Sequence, residues 1–572
     1  MLGKQKALLR AIRNRIRSDW DKQQIAKLCK RAKNISKSSD TILFWVPGGM
    51  SLMLHIEGAL AVALKLRGYS VHAVICDGPF GACVKREVDQ AIPIENWADA
   101  CEACKADNAA MLEKLGIDHS FIGDYVPENV RSTLRTLSES VTWESLDALS
   151  YNDINVGKNV RSSVIRYLKG KSYARQEAVV REYGYSGLIS AAAAMSAVDR
   201  IKPSRVFMSH GTYVDWGPAL QVAYARGIPI VAWMASYLKA HFYLCHVDDL
   251  IRVDFHNLSD AAWEICKGLE LKPFQNARLD KFLIDRYQKQ IGFDMKQLQA
   301  YTGNTATLRK KYGLVDNMPV WGVISHINWD AVSDYAPMAY DNFDDWMLAT
   351  VKEVIDIKDV QWLIKIHPAE AWDNPDSGVQ RLIQENFPVL PPHVKVISAE
   401  DDISPLDFFS LVDGGITVYG TAGLELALHG KPVILGGEAH YGGKGFTHDG
   451  TSPEAYTQLL RKAVSLGPLD EEQQRLARNY AYCYFIQRQI PLRVVEDPTT
   501  EWWKFEFDKS HLLLAGEDPF VDFICDRIVD GRDFVMDNEL VRLAELPDDD
   551  CGATVDENAV LSVKSLETVE GK

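Results

Sequence analysis

One repeated order constrains this chain more than any other feature: a short apolar strand, a glycine-bearing turn, a helix, and a strand again. It first runs from Thr41–Val46 (TILFWV) through Pro-Gly-Gly into Ser51–Leu66, and on to Tyr69–Ile75. Strand, helix and second strand in that order close a right-handed crossover and build a parallel sheet. The order resumes at Val206–Ser209, a helix near Pro218–Arg226, and Ile228–Trp233. Asp124–Tyr183, between them, reads as largely helical. Residues 40–255 are therefore expected to form one Rossmann-like domain.

A second set of strands follows. Val320–Ile324, Val360–Ile366, Val394–Ile397, Gly415–Val418 and Pro432–Leu435 alternate with helices at Tyr340–Ile357, at Pro405–Ser410 and after Tyr419. This predicts a second Rossmann-like domain over 315–465, joined to the first by a helical linker over 256–314. Asp470–Gln487 and Pro519–Val529 read as helices of a C-terminal segment, 466–545. A chain of 572 residues has room for two cores, since single cores stop growing beyond about 250–300 residues. In such α/β sheets ligands bind at the carboxyl ends of the strands, so two of them predict a cleft between the domains.

The charge is unevenly spread. Met1–Ser38 carries twelve Lys or Arg against two Asp, with apolar residues at helical spacing. Residues 1–39 thus read as a basic amphipathic segment, either packed on the first domain or touching an anionic membrane surface. Residues 546–572 are acidic and poor in aromatics, the composition of a disordered tail. The net charge of −15 argues against nucleic acid as a partner. No run reaches the roughly 20 apolar residues of a membrane span, and no secretory signal is visible. Ten Cys in a chain this long do not make a disulfide scaffold, so a cytoplasmic setting is the default.

Candidate ligand residues gather at strand ends of the second domain. Tyr419-Gly420-Thr421-Ala422-Gly423 leads from a strand into a helix, whose first N–H groups and positive dipole end suit a phosphate. Glu425 lies four residues beyond Thr421 and so on the same helical face, where a carboxylate can accept both hydroxyls of a ribose. Gly423 would allow close backbone approach. Lys365 and His367 alternate onto one face of a strand that Pro368 ends, and His367 can contact a leaving phosphate. Ser325 and His326 open a polar run, SHINWD, after the domain's first strand. An ordinary turn with a capping Thr and a solvated Glu would account for each piece taken alone.

The segments ISHINWDAV, IKIHPAE and TVYGTAGLELALHGKPVI resemble the capsule polysaccharide biosynthesis family of bacterial glycosyltransferases. That group is similar to the Kdo transferases of capsule export and, more remotely, to bacterial sialyltransferases with a His-Pro motif. The resemblance covers mainly residues 320–450, with weaker echoes at MSHGTYVDWGPA and DPFVDFICDRI. It implies a GT-B-like plan, α/β, with two Rossmann-like parallel-sheet domains facing an interdomain cleft and extra N- and C-terminal helices. It further implies a nucleotide-sugar donor (CMP-, UDP- or GDP-linked), with His367 on the donor phosphate, Glu425 on the ribose and Thr421 on the phosphate or sugar. The acceptor would be a glycan or lipid-linked glycan, and the setting cytoplasmic, with a peripheral inner-membrane contact one of the two readings of the basic N-terminal segment. The same plan also serves nucleotide-sugar epimerases and non-catalytic partner proteins.

An inverting transfer needs a general base beside the acceptor hydroxyl. His210 and Asp215, in the polar run SHGTYVDW after a first-domain strand, are the candidates, ahead of His55 and Glu57. Cys76, Cys83, Cys101 and Cys104 lie close in sequence, and the CxxC pair has the spacing of a zinc knuckle. A structural zinc site is one reading of the four, and unrelated reduced thiols the other.

Overall fold

The computed structural model describes residues 19–31, 37–47, 51–85, 97–169, 176–250, 256–288, 301–330, 337–373, 378–496 and 503–544. Two open sheets organise it, and their strands are numbered here in chain order. The first holds β1 (Thr41–Val46), β2 (Ser70–Ile75), β3 (Asp118–Phe121), β4 (Arg205–Ser209), β5 (Ile230–Ala235) and β6 (His241–His246). The second holds β7 (Val320–Ile324), β8 (Gln361–Lys365), β9 (Val394–Ile397), β10 (Gly414–Thr417), β11 (Val433–Leu435) and β12 (His448–Asp449). A last strand, β13 (Ile490–Pro491), returns to the edge of the first sheet.

The first sheet has the order β3-β2-β1-β4-β5-β6-β13, and the second β9-β8-β7-β10-β11-β12. Pairing is parallel throughout the second sheet. In the first sheet β6 pairs antiparallel to β5, and β13 antiparallel to β6. Both sheets therefore reverse direction beside their first strand, between β1 and β4 and between β7 and β10. Those reversals are where a doubly wound sheet leaves a crevice at its strand ends. The two parallel sheets are the GT-B-like, two-domain α/β plan expected from the strand pattern.

Strand burial follows the chemistry of the residues. β1, β4 and β8 are almost wholly buried, as near-continuous apolar runs covered on both faces must be. Three helices pack against one another beside the first sheet: α1 (Gly157–Leu168), α2 (Glu177–Ile201) and α3 (Tyr213–Ala225). The Ala191–Ala194 run lies fully inside α2. Its small side chains let neighbouring helices approach closely, which explains a stretch too short to span a membrane. None of the helices among the described residues is long and apolar enough to cross one.

One boundary drawn from the sequence needs adjustment. The first sheet is completed by β13, which lies beyond the second domain, so residues 40–255 alone do not supply it. Within the basic N-terminal segment, residues 19–31 are helical and bury Asp21, Ile25 and Leu28, with Arg31 paired to Glu517 at 3.2 Å. That part packs on the folded body. Residues 1–18 and the acidic tail lie outside the described residues.

The closeness of α1 and α3 generates a test. A Cβ at Gly217 would lie 2.2 Å from the Asn159 amide nitrogen, and Asn159 is itself buried and accepts from Gln221 at 2.8 Å. Gly217→Ala should cost about 1–3 kcal/mol through overpacking. The urea midpoint should fall with the m-value unchanged.

Candidate functional site

The residues expected at the strand ends of the second domain occupy three adjacent loops. Ser325 follows β7, is buried, and its Oγ accepts the His367 N–H at 2.9 Å, tying the β7 and β8 ends together. The His367 Nδ1 in turn accepts the Ala369 N–H at 3.2 Å. In the neutral ring that bond assigns the proton to Nε2, which is therefore a donor. The Lys365 ammonium donates to the carbonyls of Ile366 and Ser398, each at 3.1 Å. Burial pulls its pKa down to about 8, with Asp401 and Glu400 opposing.

His326 lies flat on Phe343, with centroids 4.3 Å apart and planes within 3°, and meets the edge of Tyr419 at 6.0 Å. Burial lowers its pKa, so the ring is neutral in this stack. Tyr419 thus belongs to an aromatic wall at the β7/β10 reversal. Helix α4 (Thr421–Leu428) begins beside it, and its N-cap, Gly420, supplies no side-chain cap. The first N–H groups of a helix have no i−4 acceptor; that of Gly423 turns back to the Gly420 carbonyl at 3.0 Å, and the Gly420 N-cap has no side chain to take the others.

Gly423 is a glycine for a different reason from close approach to a ligand. A Cβ there would meet the Tyr441 hydroxyl at 2.1 Å, and that hydroxyl donates to the Gly420 carbonyl at 2.6 Å. The missing side chain makes room for the tyrosine that pins the loop.

Glu425 also departs from its expected role. It is 5% exposed, and its Oε1 accepts from Arg286 Nε at 3.1 Å while the Tyr287 hydroxyl donates to Oε2. Burial raises its pKa and Arg286 opposes that shift. Both carboxylate oxygens are engaged inside the protein, so Glu425 anchors α4 to helix α5 (Pro273–Gln288) rather than presenting itself to a ribose.

Sequence reasoning missed the partners that reach this loop from outside the second domain. The Tyr237 hydroxyl, just past β5, pairs with the Thr421 hydroxyl at 2.8 Å. The Arg286 guanidinium lies 4.2 Å from the centre of the Tyr237 ring. Tyr484 stands 3.3 Å from the Tyr237 hydroxyl and 2.6 Å from His256 Nδ1. It sits in a π-helical turn, Cys483–Gln487, a distortion often found at functional sites. Only the aromatic spacing of YAYCYF hinted at this.

A second contact joins the domains. Asp330 Oδ1 accepts from Arg166 at 2.6 Å and from the Tyr213 hydroxyl at 2.6 Å. Tyr213 holds this position with φ at 60°, a left-handed conformation that a non-glycine residue adopts at a cost. Burial would raise the Asp330 carboxyl. Arg166 and the Tyr213 hydroxyl outweigh burial and keep it below the ordinary range. The neutral His326 and His210 rings lie near it from opposite domains.

The two candidate bases fare unequally. His210 is near Asp330, but its Nδ1 already accepts the Thr212 N–H at 3.2 Å. Burial pulls its pKa down to about 3, so the ring is neutral with the proton on Nε2. Asp215 is 1% exposed and its Oδ2 accepts the Val84 N–H at 3.2 Å. Burial pushes that carboxyl up to about 7. Asp215 closes the loop after β2 onto α3 and does not line the cleft.

The cysteine quartet is not assembled as a metal site. Among the described residues no three His, Cys, Asp or Glu side chains gather as ligands for a metal ion. Cys101 and Cys104 sit on one helix, Trp97–Leu115, and the Cys104 sulfur takes the Asn108 amide at 3.5 Å. The Cys76 sulfur accepts the Gly78 N–H at 3.2 Å, and burial raises its thiol well above the usual range.

Residues 338–466 match the family model described as "Capsule polysaccharide biosynthesis protein". The segment encloses His367, Thr421 and Glu425, so the family resemblance is upheld over the second domain. No curated protein matches the chain. Among solved structures it is similar to "Thermosulfurimonas dismutans KpsC, beta Kdo 2,4 transferase", at 17% identity over 55% of this chain and 88% of that one, TM-score 0.32. It is also similar to a UDP-GlcNAc 2-epimerase from Neisseria meningitidis, at 11% identity over 77% and 94%, TM-score 0.25. A glycosyltransferase from Rickettsia africae matches at 12% identity over 78% and 93%, TM-score 0.24. With scores this low, the fold rests on the two sheets themselves.

The Arg286–Glu425 pair can be tested directly. Glu425→Ala leaves a buried guanidinium without its carboxylate and should destabilise by about 3–5 kcal/mol. The double variant Glu425→Leu/Arg286→Met should recover most of that loss in urea unfolding, because it removes both buried charges.

Proposed function

We propose that this chain is a glycosyltransferase of surface-polysaccharide synthesis, taking a nucleotide-sugar donor in the second domain and a glycan or lipid-linked glycan acceptor from the first-domain side. The supporting observation is that the capsule-family segment contains both the His367 donor nitrogen and the uncapped start of α4 at Thr421. A nucleotide phosphate between them would receive the His367 Nε2 proton, the Thr421 hydroxyl and the first N–H groups of the helix. The aromatic wall of His326, Phe343 and Tyr419 would take an apolar face of the nucleotide or sugar. CMP-, UDP- and GDP-linked donors all present such a phosphate.

In this reading the proton acceptor is Asp330 rather than His210 or Asp215. Its two protein donors both bind Oδ1, and the Arg166 and Tyr213 contacts keep the carboxylate ionised. An acceptor hydroxyl at Oδ2 would lose its proton as the sugar's anomeric carbon transfers, while the nucleotide leaves toward His367.

Two measurements test the reading. Melting the full chain with CMP, UDP and GDP should show stabilisation by one of them, about 2.7 kcal/mol at a hundred times its Kd, and His367→Ala should remove most of it. No shift with any of the three would sink the donor site. Asp330→Asn should keep the nucleotide shift and lower kcat by about 10²–10⁴. Wild-type turnover in that variant would place the base elsewhere.

A further inference from the structure

A cavity of about 560 Å³ opens between the end of β6 and the loop after β11, away from His367. Its first-domain wall is Leu244–Asp249 and its second-domain wall Gly437–His440 with Gly442–Lys444. The C-terminal segment closes it with Arg488 and Asp533–Val535. The volume is in the range of small-molecule sites, about 300–1,000 Å³.

The lining chemistry is selective. Asp248, Asp249, Asp260, Glu438, Asp449 and Asp533 face it, against two cations, Lys444 and Arg488. A phosphate or a carboxylated sugar would be repelled, so this is not a second nucleotide-phosphate site. Nor are the carboxylates collected around one point, because among the described residues no three gather as metal ligands. Acceptors spread around a cavity suit a ligand carrying many donors at different positions, which is the pattern of sugar hydroxyls. Asp533 also accepts from Ser259 at 2.8 Å, and Asp449 from Gly443 N and Thr447 at 2.6 and 2.7 Å, so the walls are braced. The His246 ring lies over Phe534 at 5.1 Å and is fixed by the carbonyls of Arg527 and Arg532 at 3.1 and 3.2 Å. That pair gives one flat wall for the C–H face of a pyranose.

The cavity is also wired to the donor loop. His440 in its wall stacks near Tyr484 at 4.5 Å, and Arg488 donates to the His256 carbonyl. His256, Tyr484, Tyr237 and Thr421 then form one continuous chain of polar contacts.

We propose that this cavity is a second ligand site, holding a saccharide without acidic groups, with its Gly437 wall backing onto Val418 and Tyr419. It rests on the proposed transferase reading only in treating the occupant as part of the glycan being extended.

Saturation-transfer NMR on the full chain tests it, with the methyl glycosides of glucose, galactose, mannose, glucosamine and glucuronic acid as probes. At least one neutral or amino glycoside should receive saturation, with the glucuronide about tenfold weaker. The variant Asp248→Asn/Glu438→Gln should weaken the bound glycoside about tenfold while keeping its melting temperature and its nucleotide shift. Equal binding of the glucuronide, unchanged binding in the variant, or no response to any uncharged or amino glycoside overturns the inference. Glycoside binding without any nucleotide shift would instead count against the transferase reading alone.

Discussion

A guanidinium and a carboxylate, both shielded from water, hold the helix that starts at Thr421 against the rest of the molecule. Arg286 comes from the segment between the domains and Glu425 from the second domain. Buried pairs of this kind rarely add net stability, but they penalise every arrangement that separates them. The Arg286 guanidinium also lies over the Tyr237 ring, and Tyr237 reaches Thr421. One cation therefore sets the helix start, the first-domain tyrosine and the polar chain running to His256. The seam between the sheets depends on that cation being where it is.

The plan of the molecule was legible because strands and helices announce themselves by period. Apolar runs such as TILFWV and VQWLIKI, each closed by proline or glycine, placed nine of the thirteen strands of the two sheets, and the order of elements implied the parallel pairing from which only β6 and β13 depart among the described strands of these sheets. The strand-end positions of His367 and Thr421 were legible for the same reason, and in a doubly wound sheet those are the positions where ligands bind.

Side-chain direction was not legible. Glu425 shares a helical face with Thr421, as the spacing required, yet that face meets Arg286 and Tyr287, which lie about 140 residues earlier. Asp215 sits in a polar run after a strand but begins a helix whose first turn faces inward, toward Val84. The cysteines are near in sequence, but two of them ride on a helix, and the Cys76 and Cys104 sulfurs accept from different groups. Tyr237, Tyr484 and Asp330 gain their roles only through contacts across the seam, and single-sequence spacing carries no information about those.

The edge strand β13 gives the chain a particular order of events. It pairs with β6, although more than 240 residues separate the two in sequence, and the whole second sheet is made in between. In a ribosome-bound chain the second domain is complete while the first still lacks its edge. Until residues 490 and 491 emerge, β6 presents open backbone donors and acceptors, a surface that invites pairing with another chain. A truncation just beyond the second sheet would therefore leave the opposite half of the protein aggregation-prone, and the damage would surface far from the cut.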